Sequence, residues 1–189
     1  MSQESTVAKR ALRQHYRQLR RQWQPVVDQH LRDQVAALLG SRPGRGQVGL
    51  YVPLPGDADL LPLASALPRL RAGLALPAVN EGALHYHPWQ PGDPLAADAC
   101  GIPSPTGPAL PAEAIDLLLI PALAIDHRGI RLGYGGGWYD RLRSQASWRH
   151  VPTLAVLPQA CLAEALPREP WDIPLQGWVS EKGVTWLTT

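Results

Sequence analysis

Apolar positions first become periodic in residues 6–23, where Leu12, Tyr16, Leu19 and Trp23 recur at intervals of four, three and four. That is the one-face signature of an α-helix. At about 100° per residue, Lys9, Arg13, Arg17 and Arg20 share the adjoining face, with Arg10 and Arg21 at its edge. A second helix is predicted from about Pro25 to Leu39, ended by the breaker-rich "GSRPGRG". Beyond it the period changes. "QVGLYVPL", "LALPAV", "LHYHPW", "AIDLLLIPALAID" and "VPTLAVL" are short, continuous apolar runs bounded by Pro and Gly, and they read as buried strands. "NEG" between the second and third runs is a hairpin turn. "DADLLPLASALPRLRAG" reads as a helix stopped at Gly73, another helix should start near Trp138, and "WVSEKGVTWL" supplies one or two edge strands. Residues 92–113, mostly Pro, Gly, Ala and Asp, read as a surface excursion.

Strands alternating with helices, and carrying unbroken rather than alternating apolar runs, predict a sheet covered on both faces. The fold class is therefore α/β, a three-layer α/β/α sandwich with a mostly parallel sheet. In such sheets ligands gather beyond the carboxyl ends of the strands. The most apolar run and expected central strand, "AIDLLLIPALAID", runs into "HRGIRLGYGGGWYDR", which puts a glycine-rich loop where a ligand would bind.

Composition narrows the picture. At 189 residues and 45% hydrophobic, the chain is read as a single domain, 1–189, with enough material for a sizeable core. No apolar run approaches the roughly 18 residues of a membrane span. The first residues lack the apolar segment of a secretory signal, so a cytoplasmic location is expected. Cys100 and Cys161 show neither metal nor redox spacing. Net charge is only +2, yet Lys9, Arg10, Arg13, Arg17, Arg20 and Arg21 precede Val27 with no acidic residue from Ser5 onward. Such a face is either solvated or answered by an external anion.

Gly133, Gly135, Gly136 and Gly137 ahead of a helix start would present outward N–H groups, an anion site reinforced by the helix dipole. The pattern is neither GxGxxG nor GxxxxGK[ST], and a tight structural turn is the plain alternative. Arg131 can neutralise phosphate charge, and Tyr134, Trp138 and Tyr139 offer flat faces to a ring. Asp140 is a hard oxygen donor of the kind Mg²⁺ uses beside phosphates, or simply a residue favoured at a helix N-terminus. His85 and His87 alternate on one strand face with no third metal ligand evident.

"KRALR" at 9–13, "GDADLLPL" at 56–63, "PALAIDHRGIRLGYGGGWYDR" at 121–141 and "LPREPWDIPL" at 166–175 occur in the order found in 5-formyltetrahydrofolate cyclo-ligases, also called methenyltetrahydrofolate synthetases. The chain resembles that family over nearly its whole length. The resemblance implies an ATP- and Mg²⁺-dependent closure of 5-formyltetrahydrofolate to 5,10-methenyltetrahydrofolate, with ADP and phosphate released. Carried over by position, Lys9, Arg10 and Arg13 match the ATP-binding block, with Arg13 also reaching folate. Arg131, Leu132, Gly133, Tyr134, Gly135, Gly136, Gly137, Trp138 and Tyr139 match the nucleotide loop. Tyr134 to Trp138 also border the folate. Val52 and Asp57 match substrate-contacting positions, and Asp140 a magnesium ligand. Lys9, Arg13 and Arg131 would stabilise the γ-phosphate, and Asp126 could support the magnesium shell. The resemblance is imperfect: Asp57 stands where Glu is common, Leu60 where Thr follows, Ser104 replaces a frequent Glu, Ile125 a Phe, and Gln176 a position acidic in some members.

The expected partners are small-molecule substrates, with no nucleic acid and no membrane, and a monomer is expected because no exposed apolar helix stripe or zipper is visible. Two rival readings are a folate- or nucleotide-binding protein with weak turnover and a nucleic-acid-binding module using the basic helix. A sugar-phosphate or coenzyme A enzyme would need acidic catalytic groups that the sequence does not place.

Overall fold

The structure, a computed structural model, describes residues 3–41, 46–67 and 73–188. It opens with one helix, α1 (Gln3–Ser41), where two had been predicted. Pro25 lies inside it. Proline removes one helical hydrogen bond and crowds the preceding turn, but the apolar spacing continues through it, and packing holds the two halves in line. Buried positions run Tyr16, Arg20, Gln24, Val27, Leu31, Val35 and Leu39, a single stripe at intervals of four or three. The stripe is turned from the predicted one, because Trp23 is exposed and Arg20 takes an inward position.

Strand β1 (Gln47–Gly49) is followed by a single-turn helix, α2 (Leu63–Ala66). The helix predicted over 57–73 is reduced to this turn: 57–62 form bends, turns and irregular chain, Leu67 leaves the helix, and 68–72, with part of "GSRPGRG", lie outside the described residues. Next come β2 (Leu74–Asn80) and β3 (Ala83–Trp89), joined through Glu81 and Gly82, both at positive φ, as a two-residue hairpin turn requires. The predicted surface excursion contains a small ribbon, β4 (Ala96–Ala97) with β5 (Pro103–Ser104). The long apolar run divides into β6 (Ile115–Pro121) and β7 (Ala124–Asp126), which turns back against β8 (Arg131–Leu132). Helices α3 (Trp138–Ser144) and α4 (Ala146–Arg149) lead to β9 (Thr153–Val156). β10 (Leu162–Ala163), β11 (Gly177–Ser180) and β12 (Gly183–Trp186) complete the order.

The main sheet has seven strands in the order β12-β11-β9-β6-β1-β2-β3. Its five inner strands are parallel, and β3 and β12 close the edges antiparallel. Side chains of β6 alternate between two cores. Leu117 and Leu119 join Leu31, Val35 and Leu39 of α1 and Leu63 of α2, while Leu118 and Ile120 join Leu142 of α3 and Trp148 of α4. These are the three layers expected. Tyr16 belongs to the second core and Leu31 to the first, so α1 touches both. The parallel strands follow chain order 2-1-3-4-5, which reverses between β1 and β6; ligand crevices form at such a switch.

Candidate functional site

Beyond the ends of β1 and β6 lies a cavity of about 530 Å³, within the range of small-molecule sites. Tyr51 and Val52, which continue β1, line it together with Pro121, the last residue of β6. One part of its wall is mostly apolar, with Pro77 and Val79 of β2, Leu84 of β3 and Ile102 set around Asp98, whose carboxylate accepts the Val79 and Ile102 N–H groups. The other part is charged, with Lys9, Arg13, Arg131, Asp140, Arg141 and Asp172. The whole loop from Gly133 to Gly137 borders it, ending at the start of α3.

The glycines of this loop meet different local demands. Gly135 (φ 111°) and Gly137 (φ 66°) hold left-handed backbone that side chains resist. A methyl group on Gly133 would come within 2.7 Å of the Arg131 guanidinium, and one on Gly136 within 2.7 Å of the Trp138 ring. The run thus lets cations and aromatic rings fold closely over the backbone. Arg141 stacks on Trp138 with its guanidinium carbon 4.3 Å from the ring centre, and Arg131 lies 5.2 Å from that of Tyr139.

Helix α1 delivers the remaining cations. Lys9 donates to Asp172 at 2.7 Å, and Arg13 Nε donates to the Gly133 carbonyl at 3.0 Å. Burial lowers the Arg13 pKa, repulsion from Arg17 and Arg131 adds to this, and Asp140 and Asp172 oppose it. Arg131 donates to the Pro121 carbonyl at 3.2 Å and lies 3.4 Å from the Asp140 carboxylate. Lys9, Arg13 and Arg131 thus converge on the cavity wall beside the glycine loop, each held by a carboxylate or a carbonyl.

Lys9, Arg13, Val52, Arg131, Leu132, Gly133, Tyr134, Gly135, Gly136, Gly137, Trp138, Tyr139 and Asp140 all border the cavity. Arg10 and Asp57 do not. Arg10 is exposed on the outer side of α1. Asp57 is buried behind Tyr134, accepting from Arg20, from the Tyr134 hydroxyl at 2.5 Å and from the Leu54 N–H at 2.9 Å. Burial alone would lower the Arg20 pKa, but Asp57 and Tyr134 outweigh it and raise it. Burial also raises the Tyr134 phenol, with Asp57 adding to the shift, so the hydroxyl stays protonated.

Two other positions have structural duties. Asp126, weighed above as support for a metal, is 1% exposed and its oxygens are taken up. They accept the N–H groups of Arg128, Ile130 and Leu166 and the Arg128 side chain. Burial would raise its pKa; those donors, Arg128 first, bring it below the usual range. Gln176 does not line the cavity; it accepts from Thr153 N–H at 2.9 Å and from buried Arg143 at 3.3 Å. His87 is buried with Nδ1 2.6 Å from the Gly107 carbonyl, while His85 points to solvent. Among the described residues no three His, Cys, Asp or Glu side chains form a metal cluster, and no helix is long and apolar enough to cross a membrane.

Sequence reasoning missed Asp172, Trp171 and Arg20. Asp172 and Trp171 line the cavity from a turn in which Asp172 also accepts the Glu169 N–H at 2.7 Å. "PREPWD" was noted as part of a pattern without a role. Arg20 was placed on the basic face, and its lack of any local acid was the available signal.

The model of the 5-formyltetrahydrofolate cyclo-ligase family matches residues 5–181. A 5-formyltetrahydrofolate cyclo-ligase of Escherichia coli K12 is 32% identical over 179 residues, covering 89% of this chain and 97% of the relative. One from Mycolicibacterium smegmatis is 35% identical over 134 residues, 66% of this chain and 68% of the relative. The solution structure of Aquifex aeolicus 5,10-methenyltetrahydrofolate synthetase superimposes with a TM-score of 0.80 at 31% identity, over 96% of this chain and 93% of that one. With a match of that extent joined to a cavity built from the same sequence blocks, the chain belongs to the 5-formyltetrahydrofolate cyclo-ligase family.

Proposed function

We propose that this protein closes 5-formyltetrahydrofolate to 5,10-methenyltetrahydrofolate with cleavage of ATP to ADP and phosphate. The observation that carries the reading is the single cavity in which Lys9, Arg13 and Arg131 meet the glycine loop on one part of the wall and an apolar surface forms another. The charged part suits a triphosphate, and the apolar part a pterin and its neighbouring ring.

A formamide carbon is a poor electrophile for an amine because its oxygen leaves badly. In the proposed reaction the formyl oxygen attacks the γ-phosphorus of ATP, and ADP departs. Folate N10 then attacks the activated carbon, and phosphate leaves with the former formyl oxygen. No side chain forms a covalent bond. Lys9, Arg13 and Arg131 neutralise the charge on the transferring phosphoryl group, and the loop's N–H groups hold the rest of the phosphate chain. The protein's share is positioning and electrostatics.

The donor chemistry fits Mg²⁺. Asp140 stands on the cavity wall, and Asp172 also faces Arg13, which feels both carboxylates. One or two carboxylates with phosphate oxygens and waters are its usual shell. Bound there, the ion would supply charge neutralisation at the phosphates.

Purified protein mixed with 5-formyltetrahydrofolate and MgATP should produce the methenyl chromophore and ADP in equal amounts. ADP without chromophore would keep the phosphate site and overturn the folate substrate. With neither product from folded protein, the cyclo-ligase reading fails.

A further inference from the structure

Arg20, Asp57 and Tyr134 form a buried knot behind the cavity, and only Tyr134 reaches its wall. Arg20 donates to three acceptors at once: the Tyr134 hydroxyl, the Gly56 carbonyl at 2.6 Å and the Asp57 carboxylate. The Tyr134 hydroxyl in turn donates a hydrogen bond to Asp57 at 2.5 Å. The other Asp57 oxygen takes the Leu54 N–H at 2.9 Å. The Arg20 and Asp57 side chains are 2% and 1% exposed. Asp57 therefore has three donors engaged and no face toward a ligand in the cavity.

The knot joins three elements. Arg20 shares a face of α1 with Lys9 and Arg13. Asp57 ends the loop that carries Val52 and Leu54 on the cavity wall. Tyr134 sits inside the glycine loop. A second strut, Arg13 to the Gly133 carbonyl, ties the same helix to the same loop at 3.0 Å.

We propose that Arg20 and Asp57 are positioning residues acting through Tyr134: they fix its ring as cavity wall and set the glycine loop against the cations of α1, and Asp57 itself does not touch the folate. This rests on the cyclo-ligase reading for its kinetic consequence, although the knot itself does not depend on it. A shift on the order of 1 Å between phosphate-binding groups can cost about a hundredfold in rate. Loss of the knot should therefore lower kcat more than it raises the KM for folate.

The test is a double-mutant cycle with Asp57→Asn and Tyr134→Phe, read by steady-state kinetics and by amide hydrogen exchange of residues 133–137 in ligand-free protein. Each single variant should lower kcat by about tenfold or more while the KM for 5-formyltetrahydrofolate moves by less than about threefold, and the double variant should be no worse than Asp57→Asn alone. Both variants should speed loop exchange. A rise in the folate KM on Asp57→Asn, equally large with Tyr or Phe at 134, would mean a direct folate contact and overturn the proposal. So would wild-type kcat per folded molecule, which would leave the knot a stabilising feature only. Should Asp57→Asn fail to fold, Tyr134→Phe decides alone: unchanged loop exchange and kcat reject the proposal. If wild type forms no methenyl product, the cyclo-ligase reading fails, and the exchange measurement still tests the knot.

Discussion

Lys9 and Asp172 are separated by 163 residues and joined by a 2.7 Å ion pair on the cavity wall. The pair fixes a flexible ammonium before any anion arrives, and it anchors the turn that carries Trp171. Asp172 and Asp140 lie on either side of the same task, since both act on Arg13. Asp140→Asn and Asp172→Asn should each raise the Mg²⁺ concentration needed for half-maximal turnover by about tenfold, the effect of losing one good ligand contact worth about 1.4 kcal/mol. A magnesium titration of activity checks this. An unchanged midpoint in both variants would remove these carboxylates from the metal's shell.

Pro25 lies exposed on α1, so its replacement opens no cavity in the core. Its missing N–H leaves the Arg21 carbonyl without a helical partner. Pro25→Ala should raise unfolding stability by about 1–3 kcal/mol, the cost of proline within a helix. Urea denaturation measures it, and a stability equal to or below wild type would show that the proline sets the helix direction instead.

The loop glycines should separate stability from turnover. Ala at Gly137 must adopt φ 66° at the start of α3, which should cost about 1 kcal/mol or more. That is a fall of about 2–4 °C in Tm for a chain of this size. Ala at Gly133 instead meets the Arg131 guanidinium at 2.7 Å, displacing a cation. Gly133→Ala should therefore lose turnover by tenfold or more, about one charge-assisted contact, with a smaller change in Tm. Equal effects of the two variants on both readouts would contradict this division.

All five tyrosines, Tyr16, Tyr51, Tyr86, Tyr134 and Tyr139, have phenol pKa values raised by burial. Tyr139 is pushed up to about 12, and the buried Cys161 thiol likewise. A raised acid holds its proton more tightly in the folded chain. Its contribution is complete below the unfolded value, near 9 for the thiol and 10 for a phenol, and is lost as pH climbs toward about 12. Stability should accordingly fall across that alkaline interval, and tyrosinate absorbance should appear together with loss of circular dichroism. A tyrosinate signal titrating near pH 10 in folded protein would show that at least one phenol is accessible.

Most strands of the main sheet were legible as short apolar runs, and the start of α3 at Trp138 from the glycines before it; the two-residue strands β4, β5, β8 and β10 carry no such run, and β11, expected at an edge, lies inside the sheet beside β9. The helix break at Pro25 was misread: a local rule gave way to a stripe that Val27, Leu31, Val35 and Leu39 continue in the core. The spacing of Leu12, Tyr16, Leu19 and Trp23 puts Trp23 inward, but the position that turns in is Arg20. No local pattern reveals that exchange, since its partners Asp57 and Tyr134 lie 37 and 114 residues away. Asp126 suggested metal support by type and position and Gln176 marks a position acidic in some family members, while their real partners are backbone N–H groups and Arg128 or Arg143, visible only once the chain is folded.

Helix α1 has a consequence for synthesis of the protein on the ribosome. Its cations emerge long before their partners: Arg13 finds the Gly133 carbonyl 120 residues later and Lys9 finds Asp172 later still. A nascent chain can lay down β1, β2 and β6 while these side chains have nothing to hold. The charged wall of the cavity thus closes only when residues as far along as Asp172 have left the tunnel, and shorter nascent chains lack it.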